Sequence, residues 1–352
     1  MSNLYIVGAG CSKNYQQSTH HILGLESPLD KDFFKMARLV IENTGMKNDQ
    51  SFMDGIESLI GILAPRYGST KNDLDFFDDP KLRLEDVMTL LDNDFKLFSQ
   101  PSSSPLRLNE SYETRTLKDL IGRTIDYALM GPLCRKHVAL ADRMRLGDVV
   151  LSLNYDILLD NALYDRQKIS DASYSMNFFK TSVEGQWSRP DDNPSHVTLL
   201  KLHGSLNWVR CGLCGVLLLY RSRKQTLSGA IAFLCPRCSS RDIYAQKMIV
   251  PPVQAKEYRD RDITYLWIEA DRLMQEFSRI ICVGYSFSPL DSDMVSLLRR
   301  FRARATGKPE VDFVSPDPDA MGRLTNLLGV SEVRPFKDLS DYLATAGKVP
   351  AN

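Results

Sequence analysis

Three short apolar runs in this chain each end on residues that can carry chemistry, and this arrangement narrows the fold to a parallel sheet. Leu4-Tyr5-Ile6-Val7 closes on Gly8-Ala9-Gly10-Cys11-Ser12. Asp148 to Leu153 closes on Asn154-Tyr155-Asp156, and Val197 to Leu202 closes on His203-Gly204-Ser205. Short apolar runs bounded by turn signals read as strands buried on both faces. Two more follow, Arg279-Ile280-Ile281-Cys282-Val283 and Val311-Asp312-Phe313-Val314, with helical stretches at Ile263 to Phe277 and Asp291 to Phe301. Strands alternating with helices predict parallel pairing with right-handed crossovers. Ligands of such sheets bind at the carboxyl ends of the strands. The three fragments and Gly284 all fall at those ends.

The interval between the first two strands reads as helical. Phe33, Phe34, Ala37, Leu39, Val40 and Ile41 give one apolar face; Ile56, Leu59, Ile60 and Leu63 give another; Val87, Leu90, Leu91 and Phe95 a third. Ser99 to Pro105 reads as a loop dividing this region. We expect a mainly helical insertion over 30–147 in an α/β chain.

The chain has 352 residues, with 44 basic and 44 acidic side chains. This balance gives no global attraction to nucleic acid or to an anionic membrane. Arg299, Arg300, Arg302, Arg304 and Lys308 read as a solvated helix end. The Met-Ser-Asn start lacks a signal peptide's basic and long apolar regions, and no run reaches the ~18 apolar residues of a membrane span. The expected location is cytoplasmic.

Four of the seven cysteines form the strongest single motif, Cys211-x2-Cys214-x20-Cys235-x2-Cys238. This spacing is that of a zinc site, and four thiolates close the tetrahedron, so the expected metal is a structural Zn2+. The other fragments are weaker taken singly. Gly8-Ala9-Gly10 can turn tightly and offer amide donors to a pyrophosphate, yet Lys13 stands where the full dinucleotide fingerprint has a third glycine. Asn154 and Asp156 point the same way in an extended segment, but Asp156 also reads as a helix cap. His203 can accept a proton near neutral pH or serve structurally.

Taken in order, these residues resemble the sirtuin family of NAD-consuming enzymes. The resemblance rests on Gly8-Ala9-Gly10, Asn154 with Asp156, His203-Gly204, the cysteine quartet, Gly284-Tyr285-Ser286 and Ser315-Pro316-Asp317, spread over most of the chain. It implies a Rossmann-like NAD-binding core over 1–29, 148–207 and 245–346, with a zinc ribbon over 208–244. It further implies catalytic roles for His203, Asn154 and Asp156. NAD+ contacts are implied at Gly8, Ala9, Gly10, Cys11, Ser12, Gly284, Ser286 and Asp317.

Several features depart from the deacetylating sirtuins. No Gly-Ile-Pro-x-Phe-Arg stretch follows the glycine loop, Leu153 replaces a glutamine, and Ile249-Val250-Pro251-Pro252 stands where Phe-Gly-Glu is expected. Ser27 to Phe34 and Gly284 to Phe287 are instead similar to sirtuin-like effectors of bacterial anti-phage systems. The expected reaction is therefore hydrolysis of NAD+ to nicotinamide and ADP-ribose. A protein-lysine deacylase and a non-catalytic module sensing NAD or ADP-ribose are the alternatives. The resemblance also implies a homo-oligomer, with a HerA-like hexameric ATPase or another phage sensor as partner.

Overall fold

The computed structural model describes residues 2–13, 15, 27–98, 111–181, 187–188, 197–220, 235–239, 245–250, 260–274, 277–289 and 291–345. The Ser99 to Pro105 loop, Pro251 and Pro252 lie outside them. The chain opens with β1 (Asn3–Val7) and continues through five helices: α1 (Phe33–Asn43), α2 (Gln50–Arg66), α3 (Leu84–Phe98), α4 (Tyr112–Ala128) and α5 (Arg135–Arg143). Then come β2 (Val149–Ser152), α6 (Leu158–Asp165), β3 (Phe178–Thr181), β4 (Trp187–Ser188), β5 (Thr198–Lys201), β6 (Gly204–Cys211), β7 (Leu217–Leu219) and β8 (Ala245–Ile249). The last part is α7 (Arg261–Leu273), β9 (Arg279–Val283), α8 (Ser292–Arg304), β10 (Glu310–Val314), α9 (Pro318–Leu328), β11 (Arg334–Phe336) and α10 (Leu339–Thr345).

Six strands form a Rossmann-like parallel sheet in the order β11-β10-β9-β1-β2-β5. The five apolar runs of the sequence are all in it. Their residues are buried because helices cover both faces, which removes the polar alternation a half-exposed strand would show. From β1 the chain builds outward through β2 and β5, then returns to place β9 on the other side of β1. The carboxyl ends of β1 and β9 therefore flank a topological switch point, where the two directions of winding open a crevice.

The helices between β1 and β2 divide by what they bury. Phe33, Phe34, Leu59, Leu63, Val87 and Leu120, from α1 to α4, share a second hydrophobic core. Leu140 and Ala141 of α5 instead join the core of the parallel sheet. Tyr155, Leu158, Leu206 and Ile249 pack with the helical core, so it abuts the strand ends.

A second sheet, β4-β3-β7-β6-β8, has no counterpart among the strands read from the sequence. Its longest strand, β6, begins immediately after His203 and runs antiparallel to its two neighbours, β7 and β8. Gly204 is at φ +79°, and a Cβ there would lie 1.9 Å from the Met248 carbonyl oxygen. The His-Gly pair thus marks the corner at which the chain leaves one sheet and enters the other. Among the described residues no helix is long and apolar enough to cross a membrane.

Candidate functional site

A cavity of approximately 860 Å³ opens over the switch point. Residues following β1, β2, β5, β9 and β10 form one side, and Arg83, Glu85 and Ile125 of the helical segment close the other. Gly8, Ala9, Gly10, Cys11, Asn154, Asp156, His203, Gly284, Ser286 and Asp317 all line it, so most of the residues singled out in the sequence meet in one place.

The glycine loop is used differently from the sequence expectation. The Gly8 N–H donates to Val283 O at 3.0 Å, Gly10 to Gly284 O at 2.9 Å, Cys11 to Gly8 O at 2.9 Å and Ser12 to Ala9 O at 3.1 Å. Backbone carbonyls already take these four donors, leaving Ala9 at the start of a single 3-10 turn. The glycines are needed because two backbones touch: a Cβ on Gly284, at φ +62°, would lie 2.2 Å from the Cys11 nitrogen. Positive charge near the loop comes from Lys13 and Lys136, which both line the cavity.

Ser12 does not line the cavity. It lies buried beneath it, where its hydroxyl donates to Asp156 Oδ2 at 2.8 Å and accepts from Asn154 Nδ2 at 3.4 Å. Asp156 Oδ1 accepts the Leu158 N–H at 3.0 Å, the first amide of α6, although the N-cap position itself is held by Ile157. Asn154 Oδ1 is buried with no hydrogen-bond partner among the described residues. Such an acceptor costs about 1–3 kcal/mol until a donor reaches it. Beneath the trio, the fully buried Lys201 donates to the Asp156 carbonyl at 2.5 Å and pairs with Asp160 at 3.1 Å.

His203, at the end of β5, is 4% exposed. Its Nε2 lies 3.5 Å from Oδ2 of Asp291, a residue the sequence reading had placed only at a helix start. Tyr285 donates to the same oxygen at 2.6 Å, and burial pushes its phenol well above the ordinary range. Glu85, facing these groups from α3, is raised to about 7 by burial first and by Asp30 next. Cys11 has its thiol 3.4 Å from Nε2 of the buried His137.

On the adenosine side of the expected site, Asp317 is already engaged. Its Oδ1 caps α9 by accepting from Asp319 and Ala320 N–H, and its Oδ2 lies 3.5 Å from Arg323. Arg323 also donates to the Ser286 carbonyl, tying the two loops together.

The four sulfurs of Cys211, Cys214, Cys235 and Cys238 lie within 4.8 Å of one another. Cys211–Cys238 and Cys214–Cys235 are 3.8 and 3.6 Å apart. Zn–S bonds of about 2.3 Å in a tetrahedron place sulfurs about 3.8 Å apart, so the quartet fits zinc. The two knuckles match: Gly215 N–H returns to Cys211 O and Ser239 N–H to Cys235 O. Four thiolates leave no coordination position for a substrate, which makes this a structural centre.

No protein-family model matches the chain, and no curated protein matches it. Among solved structures, a mutant Sir2 homologue in complex with 2'-O-acetyl ADP ribose is 14% identical, with a TM-score of 0.39, over 100% of this chain and 95% of that one. A Sir2 homologue in complex with NAD is 12% identical, with a TM-score of 0.38, over 97% of this chain and 86% of that one. A Sir2 protein bound to a propionylated peptide is 12% identical, with a TM-score of 0.38, over 97% of this chain and 90% of that one. Likenesses of this depth leave the functional reading to the residues of the site.

Proposed function

We propose that this chain hydrolyses NAD+ to nicotinamide and ADP-ribose. The observation carrying the reading is the convergence of Asn154, Asp156 and His203, from the ends of two strands, on one cavity at the switch point of a parallel sheet. The cavity volume is in the range of small-molecule and cofactor sites, about 300–1,000 Å³.

Each residue then has a defined task. Asp156, held by Ser12 and the Leu158 amide, keeps acceptor capacity for the nicotinamide carboxamide, because a carboxylate has about four lone-pair sites. Asn154 Oδ1 takes a hydrogen bond from a ribose hydroxyl or the attacking water. The bond from ribose C1' to the nicotinamide nitrogen breaks with its electron pair going to nicotinamide. The water oxygen bonds to C1', and its proton passes to His203 and then to solvent. Charge developing on the ribose has oxocarbenium character. General-base help of this kind contributes about 10²- to 10⁴-fold. The pyrophosphate meets the Ala9 amide, Lys13 and Lys136, with Gly8, Gly10 and Cys11 shaping the floor. The adenosine half lies toward Gly284, Ser286 and Asp317.

At the level of the cell, the proposed role is an NAD-depleting effector of anti-phage defence. It would act in the cytoplasm as a homo-oligomer triggered by a HerA-like ATPase or another sensor. The sequence resemblance of Ser27 to Phe34 and Gly284 to Phe287 supports this part. The test is chromatography of NAD+ incubated with the purified chain, beside His203→Ala and Asn154→Ala, with and without an acetyl-lysine peptide. The expected result is peptide-independent release of nicotinamide and ADP-ribose, reduced about 10²-fold or more in either variant. Turnover only with peptide, or a folded His203→Ala chain at full activity, contradicts the reading.

A further inference from the structure

We propose that Asp291 is the positioning residue of His203, holding the ring as the Nε2–H tautomer so that Nδ1 is its proton-accepting atom. This inference rests on the reading of the cavity as the site of NAD+ hydrolysis.

In sequence, Asp291-Ser292-Asp293 before an apolar-periodic stretch reads as an ordinary helix start. In the structure Asp291 does occupy the N-cap of α8, yet its side chain makes no capping hydrogen bond. The carboxylate instead turns into the protein, where the residue is 2% exposed. There Oδ2 lies 2.6 Å from Tyr285 Oη and 3.5 Å from His203 Nε2. A buried carboxylate that forgoes helix amides for a histidine and a phenol is placed for those partners.

The loop that delivers it is built for the purpose. Between β9 and α8 the chain takes left-handed backbone at Gly284 and again at Phe287, with φ +62° and +52°. Left-handed backbone is unfavourable for a bulky residue such as Phe287 and persists only where its surroundings enforce it. The rings of Tyr285 and Phe287 pack edge-on at 4.6 Å, which fixes Tyr285 over Asp291. Arg323 clamps the Ser286 carbonyl from α9.

The chemistry follows from donor and acceptor counting. An ionised carboxylate only accepts, so a ring nitrogen bonded to it must carry the proton. With Nε2 protonated, Nδ1 has the lone pair that takes a proton from substrate or water. The imidazolium then formed lies beside the Asp291 charge and is stabilised by it. Tyr285, a neutral buried phenol, orients the same oxygen without supplying charge. Glu85 and Asp30 line the same cavity from the helical segment, and Glu85, whose carboxyl burial raises to about 7, adds negative potential there only above that pH. Catalytic hydrogen bonds in ligand-free sites are often long and tighten on binding, which accommodates the 3.5 Å separation.

The test joins kinetics with a spectroscopic reading. Asp291→Asn is expected to lower kcat about 10²-fold or more while KM for NAD+ stays within about threefold, with the His203-dependent limb of the pH–rate profile displaced. Asp291→Glu should recover part of kcat, and Tyr285→Phe should lose less than Asp291→Asn. Independently of turnover, nitrogen NMR of histidine-labelled chain should show His203 as the Nε2–H tautomer in the wild type and altered in Asp291→Asn. A folded Asp291→Asn chain with wild-type kcat and pH profile overturns the proposal, as does an Nδ1–H tautomer in the wild type. Lack of NAD+ turnover by the wild type even with its activating partner overturns the hydrolase reading instead, and the tautomer still decides the role of Asp291.

Discussion

At the scale of single residues, the cavity and the layer beneath it combine groups the sequence announces with groups only the fold brings in. Asn154, Asp156 and His203 are legible because each ends an apolar run. Asp291, Glu85 and Lys201 are not, since each sits in an ordinary local pattern and gains meaning from partners distant along the chain. Ser12 was legible as a residue but not in its task, because its bond to Asp156 joins two strand ends. Glu85 yields a prediction about stability and pH. Its carboxyl is raised from an ordinary 4.5 to about 7 by burial, Asp30, Asp291 and Asp86 against the lowering effect of Arg83. The folded state therefore holds this proton more tightly than the unfolded chain, and ionising it costs stability as pH rises through that window. Glu85→Gln should melt about 2 °C above the wild type at pH 8 and alongside it at pH 5. A constant difference at both pH values would contradict this. Lys201 gives a second prediction. Its ammonium is fully buried and pairs with Asp160, which also receives the Tyr174 hydroxyl. Lys201→Met leaves the Asp160 charge uncompensated and should lower unfolding free energy by about 3–5 kcal/mol in denaturant titration.

At the scale of elements, five strands of the parallel sheet were readable because doubly covered parallel strands are continuous apolar runs. The sixth, β11, was not: Arg334 to Phe336 is an edge strand, exposed at Arg334 and Pro335. Its Arg334 pairs with Asp312 of β10 at 2.7 Å, a contact that no local pattern reveals. The second sheet escaped for another reason. Gly204-Ser205-Leu206-Asn207-Trp208 mixes polar and apolar positions, and two of its polar side chains bond within the sheet: Ser205 donates to Asn207 Oδ1 at 2.7 Å and Asn207 to Tyr220 O at 3.2 Å. The zinc knuckles join this sheet at Cys211, which closes β6, and Val209, Val216 and Leu218 make a small core around them. A core of that size cannot hold its segment alone, whereas structural zinc contributes about 10–16 kcal/mol of apparent binding free energy. One zinc per chain is the expected result of elemental analysis. Chelation, or Cys211→Ser, should raise protease sensitivity between β6 and β8. Unchanged sensitivity after complete metal removal would refute the structural role.

At the scale of the whole molecule, the two hydrophobic cores meet over the switch point. The parallel sheet supplies the strand-end residues, and the helical segment supplies Arg83, Glu85 and Ile125 as the facing wall. The sequence showed both parts but not their juxtaposition, because the contacts between them join residues far apart in the chain. The second sheet meets the helical segment in the same way: Asp119 of α4 pairs with Lys247 of β8, and this cation and a second one hold its carboxyl below the ordinary range against the effect of burial. The second cation is Arg123, 2.8 Å away on the same helix. The central claim is that this shared cavity receives NAD+ with its nicotinamide at Asp156 and its reacting ribose at His203 and Asn154. A crystal structure of His203→Ala soaked with NAD+ tests it most directly. The account predicts one dinucleotide per cavity, with the carboxamide on Asp156, a ribose hydroxyl or water on Asn154 Oδ1 and the pyrophosphate beside Ala9 and Lys13. A dinucleotide bound elsewhere, or a cavity left empty at saturating NAD+, would contradict it.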